Sequence, residues 1–165
     1  MANNPKVTAA VGGHPIHPML IPFPVAFLVG TLASDLAFWG TRNVFWAQAS
    51  LWLVGAGIVM ALVAALAGFT DFFGEERIRD LNAAWYHMVG NLTAVVIAIV
   101  NFLLRYVEGA DAAILPWGIV LSFVTVGTLL FTGWMGWEMV YRHRVGIADS
   151  GARADVAPER PRRVA

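Results

Sequence analysis

Long apolar runs broken by short polar stretches dominate this chain. A helix crossing a hydrocarbon core of about 30 Å needs about 20 mostly apolar residues. Four windows meet that length, at about Leu20–Trp39, Trp46–Phe69, Trp85–Tyr106 and Leu115–Met139. Aromatic residues such as Trp39, Trp46, Trp85, Tyr106, Trp117 and Tyr141 sit near the window boundaries, where amphipathic rings settle among headgroups. The pattern predicts an all-α fold, a four-helix transmembrane bundle over residues 20–141. Residues 1–19 form an N-terminal segment. The Ala-, Arg-, Pro- and Asp-rich tail, 142–165, is expected to be disordered.

Composition sharpens this reading. Hydrophobic residues make up 58% and charged residues 13% of the 165 residues, about half the charged share of a soluble domain. There are no cysteines, which excludes disulfides, Fe–S clusters and thiolate metal sites. A formal net charge of zero argues against nucleic acid as a partner; the partner implied is the lipid bilayer. The first dozen residues lack the apolar core of a cleavable signal.

With four spans, both termini and the middle loop share one side. That side carries Lys6, Arg77, Arg79, Arg142 and Arg144, against Arg42 and Arg105 opposite. The bias of basic residues towards the cytoplasm places both termini there. Small residues recur on one face of the second span (Gly57, Ala61, Ala64, Gly68) and of the fourth (Gly118, Ser122, Thr125, Thr132, Gly136), the pattern of close helix packing.

Polar groups inside a membrane are costly and mark function by default. His14 and His17 precede the first span, Asp71 closes the second, and His87 opens the third. All four fall at the cytoplasmic end. His14 and His17 both precede proline, which disfavours helix. In a polyproline II segment their rings project from one face about 9 Å apart, a stiff ligand pair. The alternative is a segment in which proline fixes the entry angle and histidine caps backbone groups. Asn91 and Asn101 lie about 40° to either side of His87, making one inward polar stripe, and Gly90 leaves room on that face. These asparagines serve equally for interhelical hydrogen bonds. Asp35 lies about 27 Å from His17 along the helix, and reads as an interfacial anchor or a partner of Arg105 or Arg42. Glu138 either joins the histidine layer or faces the headgroups. His143, between Arg142 and Arg144, reads as a surface residue. Histidine followed closely by methionine introduces both span one (His17, Met19) and span three (His87, Met88), a faint echo of duplicated helical hairpins.

The stretch Gly13-His14-Pro15-Ile16-His17-Pro18-Met19-Leu20 with Pro22-Phe23-Pro24 closely resembles the signature of bacterial membrane proteins called domain of unknown function 2231. The Gly68-Phe69-Thr70-Asp71 end of span two and His87 with Asn91-Leu92 look like the rest of that pattern, over roughly residues 12 to 140. The resemblance implies a four-span bacterial membrane domain. Relatives joined to Rieske-type or cytochrome-like modules lean it towards electron transfer.

Two cofactor readings follow. In the first, one of His14 or His17 pairs with His87 on the iron of a b-type haem, with Asn91 nearby, and the chain relays electrons to a redox protein partner. In the second, His14, His17, Asp71 and His87 hold Zn or Cu in a metal- or proton-handling protein, which would need a homodimer to enclose a pore. A third reading is a non-catalytic anchor or assembly subunit. No hydrolase spacing is present, so an electron-transfer or binding subunit is expected rather than an enzyme.

Overall fold

The computed structural model describes residues 4–148. Four helices long and apolar enough to cross a membrane run over Ile16–Thr41, Val44–Gly74, Asn82–Glu108 and Ile114–Arg142. The expected all-α four-helix bundle is therefore what the chain forms. Within the first span, a five-residue helix α1 (Ile16–Leu20) leads into α2 (Pro22–Thr41). The second is α3 (Val44–Gly74). A single turn, α4 (Glu76–Arg79), connects it to the third, α5 (Asn82–Glu108). The fourth centres on α6 (Ile119–Trp137).

Local chemistry sets the ends. Asn43 accepts the Phe45 N–H with its side chain and so starts α3. Arg79 donates to the carbonyls of Phe72 and Phe73, satisfying the last turn of α3. That cap carries α3 beyond Phe69 and places Asp71 inside the helix. Leu115 is extended (φ −112°, ψ 129°) within the π-helical turn Ile114–Gly118, because it precedes Pro116.

Each helix packs most heavily on its hairpin partner, α2 on α3 and α5 on α6; α2–α6 and α3–α5 contacts close the ring. The first and third spans thus lie diagonally across the bundle. Three apolar layers fill it. Phe38, Ala47, Ile114 and Ile119 form one end, Leu28, Val54 and Ala98 the middle, and Phe72, Ile78 and Ala84 the end holding the chain termini. Outward positions are apolar too, with Trp52 77% and Leu130 73% exposed. Only a lipid surround removes that surface from water.

The buried positions repeat. Pro24, Leu28, Thr31 and Asp35 are buried on α2, and Ala94, Ala98, Asn101 and Arg105, each 70 residues on, are buried on α5. Likewise Ser50, Val54, Gly57 and Ala64 of α3 are matched 68 residues on by Gly118, Ser122, Thr125 and Thr132. Two hairpins with the same buried register face each other across a quasi-twofold axis along the bundle. The His-Met echo in the sequence is the visible edge of this duplication.

Candidate functional site

A cavity of about 350 Å³ opens at the end of the bundle that holds the termini. It runs inward from Val7 and Val145 to Leu28 and Leu129. His17 and His87 line it, one from each diagonal helix, with ring centroids 6.2 Å apart and planes at 85°. Each ring is held in the same way. His17 Nδ1 lies 2.8 Å from the Ala64 carbonyl of α3, and His87 Nδ1 lies 2.8 Å from the Thr132 carbonyl of α6. A carbonyl only accepts, so each Nδ1 carries the proton of this bond, the arrangement that in a neutral ring leaves the lone pair on Nε2. Neither Nε2 has a hydrogen-bond partner among the described residues.

Both rings lie over glycine one turn beyond the accepting carbonyl. A Cβ at Gly68 would stand 2.9 Å from His17 Cε1, and one at Gly136 would stand 3.1 Å from His87 Cε1. The small-residue stripes of α3 and α6 therefore do more than bring helices together; their ends are seats for the two imidazoles. The ring pair, its carbonyls and its glycines all obey the quasi-twofold axis.

The other predicted residues are placed differently. The expectation of a polyproline II segment with both rings on one face is corrected. Gly12 and Gly13 take positive φ (57° and 80°) and turn a two-residue hairpin between β1 (Ala10–Val11) and β2 (His14–Pro15), as tight hairpins require. His14 is extended and exposed, and its ring Nδ1 lies 3.0 Å from the Gly12 carbonyl. His17 is helical despite Pro18, because proline in a first helical turn forfeits no intrahelical bond and the ring gains the Ala64 carbonyl. The two histidines therefore point to different surroundings.

Asp71 serves the N-terminal segment. Its Oδ1 accepts the Thr8 and Ala9 N–H groups, each at 2.7 Å, while the Thr8 hydroxyl donates to the Thr70 carbonyl. Gly74 leaves the space Thr8 fills. Across the cavity mouth, Gly146 donates to the Pro5 carbonyl and Val7 packs on Gly146. Residues 5–9 are thus a strap over the mouth. Residues 142–148, expected to begin a disordered tail, are ordered because Val145 packs on the Phe72, Ile78 and Ala84 layer; the tail from 149 on lies outside the described residues. Among the described residues, no group of three or more His, Cys, Asp or Glu is placed to hold a metal ion. Of His14, His17, Asp71 and His87, the fold brings together His17 and His87 as facing rings.

Asn91 lines the same cavity. Its amide donates to the His87 carbonyl and its oxygen accepts from Thr132, linking α5 to α6. Gly90 offers no vacancy: a Cβ there would meet Thr132 Cγ2 at 2.4 Å. Glu138 pairs with Arg142 one turn on, and His143 is half-buried.

At the opposite end Asp35, read from sequence as an interfacial anchor or a partner of Arg105 or Arg42, pairs with Arg105. Arg105 clasps Asp35 with both terminal nitrogens, at 2.8 and 2.7 Å, and both side chains are fully buried. Ser50 and Ser122 donate to the two carboxylate oxygens. Asn101 accepts the Arg105 Nε–H and donates to the Gly118 carbonyl. All four helices contribute. Arg105 thus satisfies the pairing considered for Asp35, and no longer counts as a loop charge. The signal available in sequence was the pairing of two intramembrane charges of opposite sign in the diagonal helices.

Four apolar spans, a bundle exposed on its apolar outside and polar groups kept to its axis define a multi-spanning membrane protein. The chain belongs to the family of predicted membrane proteins named domain of unknown function 2231, whose model matches residues 13–149. No curated protein and no solved structure matches it.

Proposed function

We propose that His17 and His87 would hold a b-type haem, and that the chain is an electron-transfer subunit of the bacterial inner membrane. The observation that carries this reading is the imidazole pair itself. With metal–imidazole bonds of about 2 Å and about 1 Å more from nitrogen to ring centre, two rings about 6 Å apart are within reach of one metal. The observed 6.2 Å matches. Tying Nδ1 to a carbonyl is how ligating histidines are oriented and made more basic. The cavity around the pair is lined largely by apolar side chains such as Leu28, Val95 and Met139, a setting suited to a macrocycle.

A bound haem would supply reversible one-electron chemistry at iron. The chain's own part is to hold two imidazoles in fixed tautomers, exclude water with the apolar lining and cover the mouth with residues 5–9. Held by two histidines, such a group would suit electron transfer. A two-imidazole set is short of the four ligands zinc takes. Transport needs polar groups down the bundle; between the histidines and the ion pair stand Leu28, Val54 and Ala98, and the buried Thr31 and Thr125 hydroxyls donate to carbonyls of their own helices.

Among the described residues, the terminus-bearing end carries Lys6, Arg77, Arg79, Arg142 and Arg144, while Arg42 stands alone at the other once Arg105 is buried. The bias supports a cytoplasmic histidine end, facing a soluble redox partner.

The test is the visible spectrum of the detergent-purified protein, oxidised and then dithionite-reduced. A Soret band with sharp α and β bands on reduction is expected. His17→Ala and His87→Ala should each abolish it, and His14→Ala and His143→Ala should leave it. A colourless protein holding one equivalent of copper would replace the haem by a bare ion on the same rings. A spectrum lost with His14 and kept without His17 would overturn the ligand choice.

A further inference from the structure

Asp35 and Arg105 stand at equivalent positions of the two hairpins, 70 residues apart like His17 and His87, and meet on the quasi-twofold axis. Around them the hairpins present each other small and apolar positions, Leu28 matched by Ala98 and Val54 by Ser122. Such faces discriminate poorly, since lipid is as apolar as they are and close approach is all that small residues ask. Two copies of the first hairpin would bring Asp35 against Asp35. Two copies of the second would set Arg105 against Arg105. In either case two like charges would meet in a site with no water to screen them, a strongly disfavoured pairing. Only unlike hairpins bring a carboxylate to a guanidinium.

We propose that Asp35 and Arg105 are a pairing code that joins each first hairpin to a second hairpin and repels its own kind. The surface concerned is the axial face of each hairpin. The partner it fits is a hairpin of this same chain type bearing the opposite charge at the equivalent position. Ser50 and Ser122, also on the axis, complete the carboxylate's hydrogen bonds, so the code is read without leaving an unpaired polar atom.

The code makes an unusual demand on variants of the full chain. Asp35→Arg alone gives a chain with arginine at both positions, and Arg105→Asp alone gives one with aspartate at both. Each should lose the protease-resistant folded state of the wild type in membranes. Coexpressed under two different tags, they should rescue each other by exchanging hairpins, and should co-purify as a stoichiometric, protease-resistant pair. The double swap D35R/R105D should regain most of the folded yield within one chain. An ion pair that merely ties the bundle together would be rescued by the double swap, but would leave the coexpressed single variants unassociated; that result overturns the proposal. Single variants that stay folded at wild-type size also overturn it. If the double swap fails to fold for want of space, D35L/R105L replaces it. Freed of the code, that chain should run partly as homodimers through like-hairpin pairing, and a size distribution identical to wild type sinks the idea. None of these readouts depends on a bound cofactor.

Discussion

Gly90 and Thr132 show how closely single residues govern this bundle. The Thr132 methyl stands where a side chain at Gly90 would begin, while the Thr132 hydroxyl donates to Asn91 and its carbonyl holds His87. Alanine is ordinarily about 1 kcal/mol better than glycine inside a helix. Here the clash should reverse that sign, and Gly90→Ala is expected to destabilise the protein by about 1–3 kcal/mol. Thr132→Ser removes the methyl and keeps the hydroxyl, so G90A/T132S should recover much of the loss. Chemical unfolding of the four members of this cycle measures the coupling; simple additivity would show that the contact is not the cause. At this scale the site was partly legible in the sequence. The sequence marked Gly90, His87 and Asn91 as one face through helical spacing, but the occupant of that face depends on the register of α6 against α5, which spacing within one helix does not contain.

At the scale of elements, the strap is the part least visible in sequence. Residues 4–9 carry no periodic pattern, and their order comes from Asp71, 62 or more residues away. Asp71→Ala removes the acceptor of two backbone N–H groups, each bond contributing about 1 kcal/mol. Amide exchange at Thr8 and Ala9 should speed up tenfold or more, with the four spans unaffected. Unchanged exchange would mean that Val7 and Gly146 hold the strap alone. The turn after α3 has its own clamp. Arg77 beside Glu75 holds that carboxyl well below its ordinary value of 4.5, at about 2. A depressed carboxylate contributes stability that is fully present above its ordinary value and fades as pH falls through the folded one. The clamp should therefore persist through pH 4 and loosen towards pH 2. A carbon-detected titration of Glu75 should show this, and Arg77→Ala should return its midpoint to the ordinary range. The four spans themselves were legible because an apolar run of this length has few other solutions. The reading of His17 failed because a pre-proline preference of a few kcal/mol or less yields to a tertiary hydrogen bond.

For the whole molecule, the duplicated burial register explains why both ends of the axis hold a matched pair, imidazole with imidazole at one end and carboxylate with guanidinium at the other. The sequence showed the four histidines and the Asp35–Arg105 option. It did not show that the polar groups of the outer half form one network, because Ser50, Asn101 and Ser122 are ordinary in isolation and converge only when four helices meet. The closure of the cavity mouth has a further consequence. Its strap, residues 5–9, leaves the ribosome before any span, and its anchor Gly146 leaves after the last. The fourth span also supplies part of the cavity wall, with Leu129, Thr132 and Gly133, so although Asp71 can take up Thr8 and Ala9 earlier, the cavity and its full cover are completed only when that helix is in place. Synthesis therefore finishes the wall of the cavity and the anchor of its cover together, with the last helix.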